Sequence, residues 1–307
     1  MSLALVFPGQ GSQSVGMLGA LAADHPVVRS TFAEASRALG YDLWERVSAG
    51  PAEALNQTEC TQPAMLVAGV ATYRAWQQLG GPAPTVVTGH SLGEFTALTC
   101  AGTFSFADAV LLVRDRGRYM QEAVPAGSGA MAAILGLEDE AVENLCRKIV
   151  GVWPANYNCP GQIVISGENG AVEELCAEAE SLGARRAIKL KVSGAFHSPL
   201  VARAADRLKP AIDTVRFTDP IAPFMSTVTA RVEPATRLAS LLVDQLTAPV
   251  KFTQAARELV HDGVTTFVEV GPGNVLSGLI KRIDRSVRAI SINDLASLEK
   301  AREALST

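Results

Sequence analysis

The stretch Thr85-Val86-Val87-Thr88-Gly89-His90-Ser91-Leu92-Gly93 decides how the chain is read. A β-branched run, Thr85 to Thr88, ends at a glycine, and a segment of helical character, Leu92 to Ala101, follows. Strand, tight turn and helix around G-x-S-x-G describe a nucleophile elbow. The positions two before and two after the serine must be small, because the turn leaves no room for a Cβ, and the serine is pushed out at the head of the helix. A helix N-terminus there favours a developing oxyanion. The same residues also suit a plain strand–turn–helix corner with Ser91 as a simple N-cap. The motif makes Ser91 a candidate nucleophile and asks for a base.

Outward from the elbow, the same alternation continues. Leu3 to Phe7, Thr265 to Val270 and Val287 to Ile292 read as strands. Gln62 to Leu79, with Pro63 in its first turn, Phe106 to Glu122, a segment ending at Ile283 and Leu295 to Leu305 read as helices. Strands alternating with helices predict an α/β layer fold with a mostly parallel sheet. The middle differs. Strands at Met131 to Gly136, Val152 to Tyr157, Gln162 to Ser166 and Ala187 to Val192 enclose helices at Asp139 to Ile149 and Ala171 to Leu182. That β-α-β-β-α-β order is the ferredoxin-like unit. Pro125-Ala126-Gly127-Ser128-Gly129 and Ser193-Gly194 are hinge candidates around it. The expected organisation is a large α/β domain, 1–126 and 195–307, interrupted by a small subdomain, 127–194.

Composition limits the function classes. At 307 residues, 48% hydrophobic and 19% charged, the chain has globular proportions, and length alone suggests about two domains. Its net charge of −4 provides no overall basic field for nucleic acid or an anionic membrane. The longest apolar stretches, such as Ala64 to Ala71, fall short of the roughly 20 residues of a membrane helix. The N-terminus runs from an apolar strand straight into Pro8-Gly9 and has no basic leader. A cytoplasmic protein is expected. Five scattered cysteines without a C-x-x-C pair argue against a disulfide framework or a zinc site, so no metal and no cofactor are expected.

Only four histidines, His25, His90, His197 and His261, are available as a base. His90 adjoins Ser91 but should point away on a tight turn. His25 precedes Pro26 in a polar stretch, and His261 fits a helix-end cap. His197 sits in a loop before Ser198-Pro199, a good N-cap and first helical residue. It is the best base candidate, although a lone loop histidine is commonly just polar surface. No acid between Ser91 and His197 stands alone at the end of a main-sheet strand, which leaves a backbone carbonyl as the alternative third member. In the segment Phe106 to Glu122, Arg116 shares the apolar stripe of Ala109, Val113 and Met120, whereas Arg114 and Arg118 fall on the polar side. A guanidinium on a buried face needs an anion or several acceptors. It is either a clamp for a substrate carboxylate or a structural pair. Pro8-Gly9-Gln10-Gly11-Ser12-Gln13 is neither a Walker loop nor G-x-G-x-x-G. It is a plain βα turn or a source of a second oxyanion donor beside the Leu92 amide.

Phe7-Pro8-Gly9-Gln10-Gly11-Ser12-Gln13, Thr61-Gln62-Pro63-Ala64, Gly89 to Glu94, Arg116-Gly117, Gly194-Ala195-Phe196-His197-Ser198 and Val270-Gly271-Pro272-Gly273 occur in this order. The set resembles the malonyl-CoA:acyl carrier protein transacylases of bacterial fatty acid synthesis over essentially the whole chain, and the plan this resemblance implies, a hydrolase-like α/β core with an inserted ferredoxin-like subdomain, agrees with the element order. The resemblance implies Ser91 as nucleophile and His197 as base. It implies the amides of Gln10 and Leu92 as the oxyanion hole, Arg116 with Gln62 on the malonyl carboxylate, and the Gln245 carbonyl orienting the histidine. It sets Asn158 near the channel for coenzyme A and pantetheine. Leu92, where methylmalonyl-using relatives tend to carry Gln, and Phe196 both look malonyl-type. The implied partners are malonyl-CoA and an acidic, phosphopantetheinylated carrier protein. A basic patch is then expected near the mouth, either Lys281, Arg282, Arg285 and Arg288 or Arg185, Arg186, Lys189 and Lys191.

Three other readings compete. A serine esterase or thioesterase predicts an acid near His197 and no role for Arg116. A non-catalytic carrier-binding module needs no Ser91, His197 and Arg116 together. The same acyl transfer in a polyketide pathway is not separated by these residues. With no linker or neighbouring domain in the chain, a dissociated fatty acid system is expected.

Overall fold

The computed structural model of the chain describes residues 2–125, 127–192 and 194–305. Among the described residues, ten strands form two sheets. They are β1 Leu3–Phe7, β2 Val86–Gly89, β3 Gly129–Leu135, β4 Val152–Cys159, β5 Gln162–Glu168, β6 Arg186–Lys189, β7 Phe224–Ser226, β8 Arg231–Glu233, β9 Thr266–Val270 and β10 Arg288–Ile292. The large sheet has the order β10-β9-β1-β2-β7-β8. It is parallel throughout except for the terminal β7–β8 pair.

The central strand shows why the sheet is covered on both faces. Leu3, Leu5 and Phe7 enter one core, together with Leu66, Ala68 and Phe95. Ala4 and Val6 enter another with Phe252, Leu259 and Ile280. Successive side chains of a strand point to opposite faces, so an unbroken apolar run needs helices on both sides. Helix Thr58–Gln78 supplies one side, with 17 of its 21 residues buried. It starts four residues before the expected Gln62, so Pro63 lies in its second turn. The turn closes ahead of the proline because the Cys60 and Thr61 amides already reach the Gln57 carbonyl, at 2.8 Å each. Only the bond to the Glu59 carbonyl is then forgone.

The second sheet, β4-β5-β3-β6, is antiparallel and falls wholly between Gly129 and Lys189. With helices Asp139–Lys148 and Asn169–Ser181 it has the ferredoxin-like order, and a separate apolar cluster runs through Ile134, Val142, Ile163, Ile165 and Leu175. On this basis we propose the division into 1–126 with 195–307 and an inserted 127–194; the hinge residues Ala126 and Ser193 lie outside the described residues. Edge strand β4 is tied to the large unit: the Tyr157 amide donates to the Val250 carbonyl at 2.9 Å, and the Val250 amide to Ala155 at 2.8 Å.

Candidate active site

The site lies where the loops following β1 and β2 meet. Each glycine of the elbow is there for want of space. A Cβ at Gly89 would stand 2.0 Å from the Gly93 carbonyl carbon, and one at Gly93 would stand 1.9 Å from the Phe7 carbonyl oxygen. Gly9 presses the two loops together, since its Cβ would sit 2.5 Å from the His90 carbonyl oxygen. Ser91 is held at φ 53°, a left-handed conformation rarely taken by a non-glycine residue. Its side chain makes no cap bond to helix Leu92–Cys100, which removes the simple N-cap reading. Strain of this kind is kept where the surroundings over-determine it.

The Ser91 hydroxyl meets His197 Nε2 at 2.7 Å. His197 is also left-handed, at φ 57°, and is 4% exposed. Its Nδ1 lies 2.9 Å from the Gln245 carbonyl and 3.2 Å from that of Ala248. Carbonyls only accept, so Nδ1 carries the proton and Nε2 is left to accept from Ser91. Burial, and then the charge of Arg116, hold the imidazole down to about 3. It is therefore neutral and able to take a proton. The turn after it differs from expectation: Ser198 does not cap a helix but donates to the Ala195 carbonyl at 2.7 Å, and a short 3-10 turn, Pro199–Val201, precedes helix Ala202–Thr214.

Arg116 projects from helix Phe106–Glu122 and is 1% exposed. Arg114 and Arg118 pair instead with Asp115. The Arg116 guanidinium donates to Gln62 Oε1 at 2.9 Å, to Ser91 Oγ at 3.0 Å and to Gln245 Oε1 at 2.8 Å. Its Nε has no acceptor among the described residues. Burial lowers its pKa to about 10 while the charge of Glu94 raises it, so the group stays cationic. A buried, under-satisfied cation beside a hydroxyl suits a ligand that ends in a carboxylate.

Gln10, Gln62, Ser91, Leu92, Arg116 and His197 line one cleft. The Leu92 amide belongs to the first turn of its helix, where N–H groups have no intrahelical partner. Gln245 is buried behind the cleft. Asn158 Oδ1 lies 2.9 Å from Nε2 of His90, which lines the cleft, and Asn156, two residues earlier on β4, lines it as well. The register of β4 shifts between Pro154 and Asn156 and again between Tyr157 and Cys159, which re-aims these side chains. The His90 ring packs against that of Phe252, centroids 5.7 Å apart, and burial lowers its pKa.

Sequence reasoning missed Glu94, Asn156, the Ala248 carbonyl and the side chain of Gln245. Ser91 and Glu94 have the spacing of a capping box, but Glu94 turns inward to Thr227 and Gln245. Its partners are 133 and 151 residues away, so no local pattern announces them. Among the described residues there is no cluster of metal-ligating side chains, and no helix is long and apolar enough to cross a membrane.

An elbow serine, a neutral histidine and a buried arginine come together in one cleft on this scaffold. The chain belongs to the acyl transferase family, whose profile, described as "Acyl transferase domain", matches residues 4–304. More particularly, it is 49% identical over 304 residues to the Malonyl CoA-acyl carrier protein transacylase of Escherichia coli (strain K12), with 98% of each chain covered. A solved malonyl CoA-acyl carrier protein transacylase from Coxiella burnetii superposes with a TM-score of 0.98 at 44% identity, covering 100% of this chain and 98% of that one. A malonyl-transacylase solved in complex with its type II PKS acyl-carrier protein gives 0.97 at 47%, covering 99% and 100%.

Proposed function

We propose that the chain transfers the malonyl group of malonyl-CoA to the phosphopantetheine thiol of an acidic acyl carrier protein, in the cytoplasm, through a malonyl-Ser91 ester. The observation that carries this reading is Arg116, a buried cation 3.0 Å from the Ser91 hydroxyl. An esterase for neutral acyl groups has no use for it.

In the first half-reaction Ser91 Oγ attacks the thioester carbonyl and His197 Nε2 takes its proton. The oxyanion is received by the amides of Gln10 and Leu92. As the intermediate collapses, the protonated imidazole returns its proton to the leaving thiolate, coenzyme A departs, and malonyl-Ser91 remains. In the second, the carrier thiol gives its proton to His197 and attacks the ester, and Ser91 is restored. Arg116, steadied by Gln62, holds the malonyl carboxylate in both halves. Asn158 acts at one remove, holding His90 against the elbow. The cleft-lining Leu190 and Val192 flank Lys191, which with Arg185, Arg186 and Lys189 is exposed. This favours that basic set, over the one around Arg282, as the face that receives the carrier. Five cysteines without a disulfide fit a reducing compartment.

Intact mass after treatment with malonyl-CoA tests the reading. The wild type gains one malonyl group that persists until carrier protein is added, and Ser91→Ala gains none. Continuous release of coenzyme A without carrier identifies a hydrolase instead. Arg116→Ala lowers malonyl loading about 10- to 100-fold and abolishes the preference over acetyl-CoA; an unchanged preference removes Arg116 from the reading. The neighbour bound to a type II PKS carrier supports a second reading, transfer to a polyketide carrier. Competition between fatty acid and polyketide carriers for malonyl-Ser91 separates the two.

A further inference from the structure

Glu94 has no part in the chemistry above, yet it is a fully buried acid three residues from the nucleophile. It is 1% exposed and faces away from the cleft. Its Oε1 accepts from the Thr227 amide and, at 3.0 Å, from the Thr227 hydroxyl, and its Oε2 accepts from Gln245 Nε2. Gln245, 0% exposed, is the crossing point. The same amide nitrogen donates to the Ser91 carbonyl at 2.9 Å, its Oε1 accepts from Arg116 at 2.8 Å, and its backbone carbonyl faces His197. These partners fix which way the amide points. Two oxygens meet its NH2 and a cation meets its oxygen. Every group that meets Glu94 is a donor, which suits a carboxylate that only accepts.

We propose that Glu94 is a positioning residue for the transfer: through Gln245 it holds Arg116 beside Ser91 while keeping the guanidinium out of a direct ion pair. The proposal rests on the reading that Arg116 receives the malonyl carboxylate. A buried guanidinium needs a compensating charge. A carboxylate bonded to it directly, in the strong bidentate form, would compete with the carboxylate of the substrate. With a neutral amide between the two, Glu94 compensates the charge at a distance. All three oxygens that Arg116 touches, on Gln62, Ser91 and Gln245, are then uncharged. An arriving carboxylate exchanges a neutral acceptor for a charged one, which is the stronger bond. The acid also fixes the side chain of the residue whose carbonyl aims His197, so clamp and base share one support.

Glu94→Gln keeps the size and leaves an oxygen for Thr227, but its NH2 then opposes that of Gln245. The Gln245 amide must turn over and present its NH2 to Arg116. Loading of Ser91 is measured with malonyl-CoA and with acetyl-CoA for the wild type, Glu94→Gln, Gln245→Ala and the double variant. The KM for malonyl-CoA is expected to rise about 10- to 100-fold in Glu94→Gln, with a much smaller change in acetyl loading, and the double variant is no worse than Gln245→Ala. An unchanged malonyl-to-acetyl ratio, an equal loss for both acyl groups, or multiplying effects of the two substitutions overturns the proposal. Should Glu94→Gln not fold, Glu94→Asp, which keeps the charge but withdraws the oxygens by one methylene, is read in the same way. The wild type separates the two levels: if it takes no malonyl on Ser91, the function itself has failed, whereas normal wild-type loading beside an unaltered Glu94→Gln removes only the role of Glu94.

Discussion

Ser91 and His197 stand 2.7 Å apart, and both occupy left-handed backbone, at φ 53° and 57°. The two are held there by different means. Ser91 is locked chiefly at the elbow, by a strand before it, a helix after it and two glycines whose Cβ atoms would strike backbone, one within the elbow and one at Phe7. His197 sits in a loop and is aimed by carbonyls 48 and 51 residues further along the chain. Strained conformations cost about 1–3 kcal/mol each and need surroundings that insist on them. The candidate nucleophile is therefore fixed chiefly by close backbone packing at the elbow, with Arg116 and Gln245 bonded to it, and the candidate base by hydrogen bonds to one distant loop. The first should be the less sensitive of the two to changes elsewhere in the chain.

The largest expected effect is on the Ser91 side: Ser91→Ala abolishes the malonyl adduct, and residual labelling elsewhere in the chain would break the assignment. His197→Gln keeps the fold and slows loading about 10²- to 10⁴-fold, the ordinary worth of a general base, in a rapid-quench measurement. A loss below tenfold would mean that the elbow alone suffices. Gly93→Ala attacks the local support and should destabilise by about 3 kcal/mol in urea unfolding, because its Cβ meets the Phe7 carbonyl at 1.9 Å. A negligible loss would show that the elbow yields.

The smallest effect sharpens the other side. His197 is held from 6.5 down to about 3, chiefly by burial. Below pH 6.5 the unfolded chain therefore takes up a proton that the folded chain refuses. The associated stability is present above that pH and is lost as pH falls toward 3, at about 1.4 kcal/mol per pH unit. Between pH 7 and pH 5 the wild type should lose about 2 kcal/mol more than His197→Gln. Taking the difference between the two proteins cancels other groups, including Glu94, which burial raises to about 7 and which acts with the opposite sign.

What was legible in the sequence follows the same division. The elbow, the strand runs around it and the ferredoxin-like order are local patterns, and each is found where the pattern put it within a few residues. Pro63 misled, because proline signals a first turn only when nothing ahead of it closes the helix. The three-residue strands Phe224–Ser226 and Arg231–Glu233 are too short to carry a period. Helix Phe252–His261 begins after Lys251 with no capping side chain to announce its start. In the site, Ser91, Arg116 and His197 could be picked by residue type, stripe and scarcity. Glu94 could not, since its meaning lies in partners from Thr227 and Gln245, and the two shifts of register that aim Asn156 and Asn158 leave no mark in the spacing.

Gln245 has a consequence for genetics. The oxygen that aims the histidine belongs to the main chain, and every amino acid placed at 245 brings the same oxygen with it. A mutational scan of this position can register only the amide that faces Arg116 and Glu94; half of what the residue does is silent to any codon. Reaching that half requires chemical synthesis, with an ester in place of the peptide bond following Gln245, so that the acceptor is weakened while the side chain stays as it is.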